Sequence, residues 1–528
     1  MRMISKFAVA AAIGLTMAQI APASAETPKR GGTLVIGGGA GVRHLNPAVQ
    51  SGGATGVPGT QIFAGLVELD DKFNAMPYLA TSWEVGDNGL SYTFHLVEGA
   101  TFHDGHPITS EDVAYSLNVV KNNHPFGIAM FAAVDKVDTP DKHTAVFRLN
   151  KPHPALLSAL SPLLLPIIPK HYYDDGQEIK TSPKNGKPIG SGPFKLKEWK
   201  KGSHILLERN ENFFRKGKPY LDKIIQRFMK DTTVRMLALE KGEIDYYSFT
   251  GVRIRDIPKM RAVPHLVLTT NGYAALGPVD YVEFNMRRKP VSDKRVRQAV
   301  AYAVDLNFVV EKLHVGVSHP GVSPFFHASP FHADGLKKYD VDLDKAKALL
   351  DEAGFKPGSD GMRLKLTLDY PPFQKDSMET VAKYMKPQLK KVGIDIQLRG
   401  SPDFPTWAKR IASWDYDMTL NNHWNYPDPV IGVHRIYLCG NIKNVIWSNT
   451  QGYCNKRVDE LLVAAGSEMD FEKRKGYYKE FQHIVNDELP LYFLNEPPYL
   501  TIYNKKVKNV PLSVWGAMQP MDKVWLDQ

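Results

Sequence analysis

Apolar and polar residues alternate in short runs along this chain, and helical periods interrupt them at intervals. Tyr92, Phe94 and Leu96 alternate with Thr93 and His95, which predicts a strand with one buried face. A tight turn at Asp104-Gly105 follows, then a helix from near Glu111. Thr33 to Ile36 reads as a short buried strand, and the stretch around Ala238 to Asp245 as a helix stopped by Gly242 and succeeded by a strand. Farther on, Leu364, Leu366 and Leu368 alternate with Lys365 and Thr367. Val381, Met385, Leu389 and Val392 then repeat at a helical period behind Ser377, a suitable N-cap, and Gly393 stops the helix. Ile394, Ile396 and Leu398 alternate again, so this block predicts a βαβ unit with a parallel strand pair. Helices are also expected over 342–354, with Ala346, Leu349, Leu350 and Ala353 apolar, and over 472–486.

At 528 residues the chain exceeds what one core serves, so two or three packed units are expected, and 43% apolar with 10% aromatic residues excludes a disordered class. Arg2 and Lys6, the apolar run from Phe7 to Ile20, and Ala23-Ser24-Ala25 predict a secretory signal over residues 1–25, cleaved before Glu26. No cysteine near that point offers a thiol for acylation, so a free periplasmic protein is expected. The formal charge of +10 is scattered without a dense basic run: it suits acidic ligands or is ordinary scatter, and no nucleic-acid partner is expected. Export makes a disulfide between Cys439 and Cys454 the favoured reading over a metal site, which would need a neighbouring ligand pair. Its loop would contribute on the order of 3 kcal/mol.

Several motifs, in order, carry a resemblance. Pro77-Tyr-Leu-Ala-Thr-Ser-Trp83-Glu84, Phe102-His-Asp104-Gly105 with Glu111-Asp112-Val113, Gly190-Ser-Gly192-Pro-Phe194, Ala238-Leu-Glu-Lys-Gly242-Glu-Ile-Asp245, and Asp293-Lys-Arg-Val-Arg-Gln-Ala299 through Asp305 resemble the family 5 extracellular solute-binding proteins. These are receptors of peptide, opine and nickel ABC importers. The resemblance implies an α/β fold of periplasmic-binding-protein type II, cluster C: two hinged α/β lobes plus an inserted accessory domain. It places a first lobe at 26–76, 190–278 and 490–528, the accessory domain at 77–189 and a second lobe at 279–489, with a hinge near residue 280 and a return crossing at Leu491 to Leu494. It also implies a monomer that captures a small-molecule solute and hands it to the permease and ATPase subunits of the importer. No cofactor is implied.

The segment Asn421 to Pro429 corresponds to the family's cleft motif, a Trp followed within a few residues by Asp-Pro. Asp428 is the residue that would pair with a peptide's free ammonium group. The usual Gly-Asp before Asp-Pro is replaced here by Asn425-Tyr426-Pro427, a departure that bears on recognition of the α-amine. Trp424 offers a flat face to a solute or packs as core, and His423, Asn425 and Tyr426 flank it. Arg435 and His434 would meet a carboxylate or phosphate, as an opine-like solute requires; a solvated or capping role is the other reading. Asn46 and His44 are cleft candidates by resemblance and turn residues by local chemistry. Trp407 and Trp515 contribute stacking or packing. His103 and His106, flanking the Asp104-Gly105 turn, are expected to face solvent.

An enzyme reading finds no support in motifs: G-x-S-x-G, S-x-x-K with its partners, G-x-x-x-x-G-K and H-E-x-x-H are all absent from the sequence. Among solutes, short peptides rank first, then opine-like conjugates, oligosaccharides and nickel chelates. An exported hydrolase is the alternative of a different class.

Overall fold

The computed structural model describes residues 27–39, 41–497 and 499–527, and the expected signal segment lies outside them. Three sheets organise what is described. The first has seven strands in the order Leu266–Thr269, Thr501–Asn504, Tyr246–Tyr247, Thr33–Gly38, Lys223–Phe228, His204–Arg209 and Phe194–Lys200. Thr33–Gly38 lies at its centre, parallel to both neighbours, with Leu34 and Ile36 fully buried. A strand covered on both faces reads as the continuous apolar run seen there. The helix Thr232–Glu240, N-capped by the Asp231 side chain, ends before Gly242 at φ 71, and the chain re-enters the sheet at Tyr246. The left-handed φ is where glycine serves as the stop.

The second sheet has six strands, ordered His319–Pro320, Leu491–Glu496, Pro278–Phe284, Met418–Trp424, Leu364–Tyr370 and Ile394–Gly400. Leu364–Tyr370 and Ile394–Gly400 pair in parallel register, Leu364 opposite Ile394, joined by the helix Lys375–Lys390. Leu366, Leu368, Val381, Met385, Leu389, Ile394 and Ile396 share one core, where each large aliphatic side chain contributes roughly 1.5–3 kcal/mol. This helix starts two residues before the expected cap. Gln374 precedes it at φ 50, while the Ser377 hydroxyl bonds His314 Nε2 at 2.9 Å instead of capping. The helices Leu343–Glu352 and Phe471–Glu488 begin behind Asp342 and Asp470, whose side chains accept from backbone N–H groups.

A four-stranded sheet, Ala80–Gly86, Ser91–Leu96, Thr144–Leu149 and Val134–Asp141, carries the helix Ser110–Asn123 against it. Tyr92, Phe94 and Leu96 face inward, and Phe94 meets Phe147 edge-on at 5.3 Å. His103 departs from the expectation of solvent exposure. It is half-buried between Gly190 N and Gly192 O, at 3.2 and 3.1 Å, and burial lowers its pKa to about 4; His106 is exposed. A Cβ at Gly190 or Gly192 would stand 2.0 or 2.5 Å from a backbone oxygen of Ile62 or Gln61, so only glycine fits that contact.

The chain passes from the first sheet to the second across residues 270–277, and returns after Glu496. Leu491 to Leu494, expected as the return crossing, lies instead in the fully buried inner strand Leu491–Glu496 of the second sheet, paired with Pro278–Phe284. Its apolar run matches burial on both faces as well as it matches a crossing, which is why sequence alone did not separate the two. Among the described residues no helix is long and apolar enough to cross a membrane.

Candidate ligand-binding cleft

Between the two large sheets lies a cleft of about 570 Å³, within the usual range for small-molecule sites. The first lobe supplies the ends of two central strands and the residues just after them, Gly37 to Gly39 and Tyr247 to Phe249, together with Arg43 and Tyr499; the second supplies Asn422 to Trp424, Tyr426, Arg435 and Trp447. Phe126 reaches in from the accessory unit.

Aromatic rings dominate the walls. Trp424 lies parallel to Phe249 with centroids 6.4 Å apart, one ring from each lobe, and its Nε1 donates to Tyr499 Oη at 3.1 Å. Tyr426 turns its edge to Phe126 at 5.3 Å and to Trp424 at 6.1 Å. Phe404 stacks on Trp447 at 5.7 Å. Four lining residues hold left-handed backbone: Phe249 at φ 59, Gln374 at φ 50, Tyr426 at φ 58 and Trp447 at φ 58. Such conformations cost about 1–3 kcal/mol each and persist where surrounding structure enforces them, characteristically at ligand clamps.

Of the residues singled out in the sequence, Trp424, Tyr426, His423 and Arg435 line this cleft. His423 is anchored through Nε2 to Pro324 O at 2.8 Å, and burial lowers its pKa to about 3, so it presents a neutral ring. Arg435 stacks on Phe126 at 4.5 Å and donates through Nη1 to Trp447 O; its buried Nε makes no hydrogen bond. Burial presses its pKa below the ordinary arginine value.

The other candidates are committed elsewhere. Asp428 is buried in a two-pronged ion pair with Arg474, at 2.6 and 2.7 Å, and accepts from Val430 N as an N-cap. Burial alone would raise its pKa, but the guanidinium overrides this and holds it below the usual carboxylate value. Asn425 spends its amide on Gly277 O and Pro324 O, and its oxygen on Phe326 N, tying the interlobe crossing to the second lobe. His434 is buried against Tyr478 Oη at 2.9 Å, neutral with a pKa lowered to about 3 by burial. Trp407 is fully buried with Ile411 and Tyr416. Asn46 is buried in a turn, bonded to Asn185 and Ala48 N, while His44 accepts from Asn46 N and opens onto a neighbouring hollow. Trp515 is core. Cys439 and Cys454 form a disulfide, with Cα atoms 4.8 Å apart.

Phe126, Phe249, Phe373, Phe404, Trp447 and Tyr499 line the cleft without having been singled out. They stand in six separate segments with no shared motif. Away from the cleft, Asp104, His106 and His171 bring donor atoms within 4.8 Å of one another on the accessory unit, the one such group among the described residues. Asp104 Oδ2 already bonds His171 Nε2 at 2.7 Å.

The model of the bacterial extracellular solute-binding proteins, family 5, matches residues 74–444, and the chain belongs to that family. Its fold is accordingly the type II periplasmic-binding fold. Among individual relatives, it is 29% identical over 506 residues to the oligopeptide-binding protein AppA of Bacillus subtilis, covering 90% of this chain and 88% of that one. The structure of DppA from Helicobacter pylori in complex with the peptide STSA superposes with a TM-score of 0.82 at 25% identity, covering 95% and 99% of the two chains. AgaA from A. tumefaciens R10 in complex with agropinic acid gives 0.79 at 26% identity over 94% and 99%.

Proposed function

We propose that the protein is the periplasmic capture component of an ABC importer, closing its two lobes on a peptide-sized solute and passing it unchanged to the permease and ATPase subunits. The observation that carries this reading is the Trp424–Phe249 pair, in which each lobe contributes one ring to the same cleft. Separating the lobes would dismantle that wall, so the site exists as drawn only in a closed form, as hinge closure requires. The relatives that bind peptides and agropinic acid support a solute of this size. Export through removal of residues 1–25 and action as a monomer complete the reading. Small-angle scattering with and without solute tests it: binding should reduce the radius of gyration by about 1 Å or more, in the range of hinge closures that shift domains by over 2 Å, and an unchanged radius on saturation would refute capture by closure.

A further inference from the structure

The charge balance of this cleft is one-sided. Among the described residues no aspartate or glutamate lines it, whereas Arg43 and Arg435 both do, and neither of these arginines forms an ion pair with a described residue. The motif's own carboxylate, Asp428, is withdrawn into its pair with Arg474. Asp280 is not part of the lining: it is buried, bonds Asn495, and burial raises its pKa to about 8. A solute's ammonium group would therefore enter the cleft with no counter-charge. Taking a charge out of water without a partner is costly, so the site selects against that group.

The positive side is built for an anion. Arg435 is held from one side by the Phe126 ring and through Nη1 by Trp447 O, which fixes the guanidinium plane while Nε remains without a partner. The fork of a fixed guanidinium matches the two oxygens of a carboxylate. The helix Gly53–Ile62 points its N-terminal end at the same cleft, with Gly52 to Ala54 on the wall, no side-chain cap and no acidic residue in its first turn. Its partial positive charge adds to that of the arginines. Arg43 also borders an adjoining hollow of about 740 Å³ where Lys180, Lys187, Lys197 and Lys201 outnumber the lone acid Glu198. A basic approach of that kind concentrates anions at the entrance.

Resting on the capture reading above, we propose that the solute is an anion whose carboxylate, or comparable oxyanion, seats on Arg435, and which carries no free ammonium group in the cleft. An N-blocked peptide acid or an amino-acid conjugate has this chemistry. The apolar body lies among Trp424, Phe249 and Phe126.

The test uses the mature protein and tryptone mixed with a bacterial metabolite extract, separated at pH 7 into anionic, neutral and cationic pools. Thermal shift is read with each pool, on the wild type, Arg435→Met and Arg43→Met. The anionic pool alone should raise the wild-type melting temperature. Arg435→Met should abolish the shift, and loss of the charged contact should weaken affinity for the purified active component by about 30-fold or more. Because Arg435 also holds Trp447, the unliganded melting temperature of each variant is compared, and the wild-type preference among pools stands independently of either substitution. A shift from the neutral pool, which holds the zwitterionic peptides, or from the cationic pool, or from the anionic pool in both wild type and Arg435→Met, overturns the anion seat while leaving the receptor reading intact. No shift from any pool overturns both.

Discussion

Asp428 and Arg474 face one another across a buried, two-pronged ion pair, Oδ1 to Nη2 at 2.6 Å and Oδ2 to Nη1 at 2.7 Å. The aspartate of the Asp-Pro motif is thereby a structural anchor between the loop after Met418–Trp424 and the helix Phe471–Glu488. Removing one partner strands a buried charge, at a cost of about 3–5 kcal/mol. Asp428→Ala is expected to lower the urea midpoint strongly, and the double variant Asp428→Ala with Arg474→Met to recover part of the loss. Urea unfolding followed by circular dichroism checks this. A lone Asp428→Ala variant of wild-type stability with weakened binding would return the residue to the cleft.

The buried histidines give the fold an acid limit. His423 and His434 keep a pKa of about 3, lowered by burial, whereas in the unfolded chain they take up protons near the ordinary 6.5. Each then contributes stability that is complete above pH 6.5 and declines as pH falls toward 3, at up to about 1.4 kcal/mol per pH unit. The free energy of unfolding measured at pH 7, 6 and 5 is expected to drop progressively, and less steeply in His434→Gln.

Asp280 acts in the opposite sense. Burial raises its folded pKa to about 8, opposed by hydrogen bonds from Asn495 and Asn422, so the folded state holds a proton that the unfolded chain releases near its ordinary 3.8. Stability falls as pH rises from about 4 to about 8. Between pH 6.5 and 8 His423 and His434 no longer contribute a slope, while His327, whose pKa its hydrogen bond to Glu496 raises, adds a decline of its own, so the part of the decline that disappears in Asp280→Asn isolates this carboxyl. A flat wild-type profile over that interval would show that Asp280 is ionised.

The disulfide couples stability to the site. Cys439 and Cys454 close a loop of sequence separation 15 that carries Trp447, whose carbonyl receives Arg435 and whose ring stacks on Phe404. Closing such a loop contributes about 3 kcal/mol by chain entropy. Cys439→Ser with Cys454→Ser is expected to lose about that much in denaturant unfolding, and to bind solute more weakly as Trp447 loosens. Stability lost without any change in affinity would separate the loop from the cleft.

Much of the framework was legible in the chain. The alternation in Leu364 to Leu368 and Ile394 to Leu398 defines two strands, and the helical period between them is the crossover that makes the pair parallel. Trp424 and Arg435 offered a flat ring and a fork donor, with packing and a solvated or capping role as the other readings, and both line the cleft. The role of Asp428 has no local signature: Arg474 lies 46 residues away and meets it only after the helix packs. The aromatic wall was invisible for the same reason, since Phe126, Phe249, Phe404 and Tyr499 become neighbours through topology. Leu491–Glu496 shows the remaining ambiguity, an apolar run whose place in a sheet is decided by its partners.

A solute held in the wall that Trp424 and Phe249 form should leave as it came. Native mass spectrometry of the mature wild-type protein and of Trp424→Ala, each purified from the same source and then denatured to release what it holds, tests this most directly. One non-covalent, negatively charged adduct per wild-type chain is expected, recovered chemically unchanged and lost or greatly reduced in Trp424→Ala, since stacking on such a ring contributes about 0.5–1.5 kcal/mol beyond its area. An adduct held equally by both proteins, or one converted to product on incubation, would contradict it.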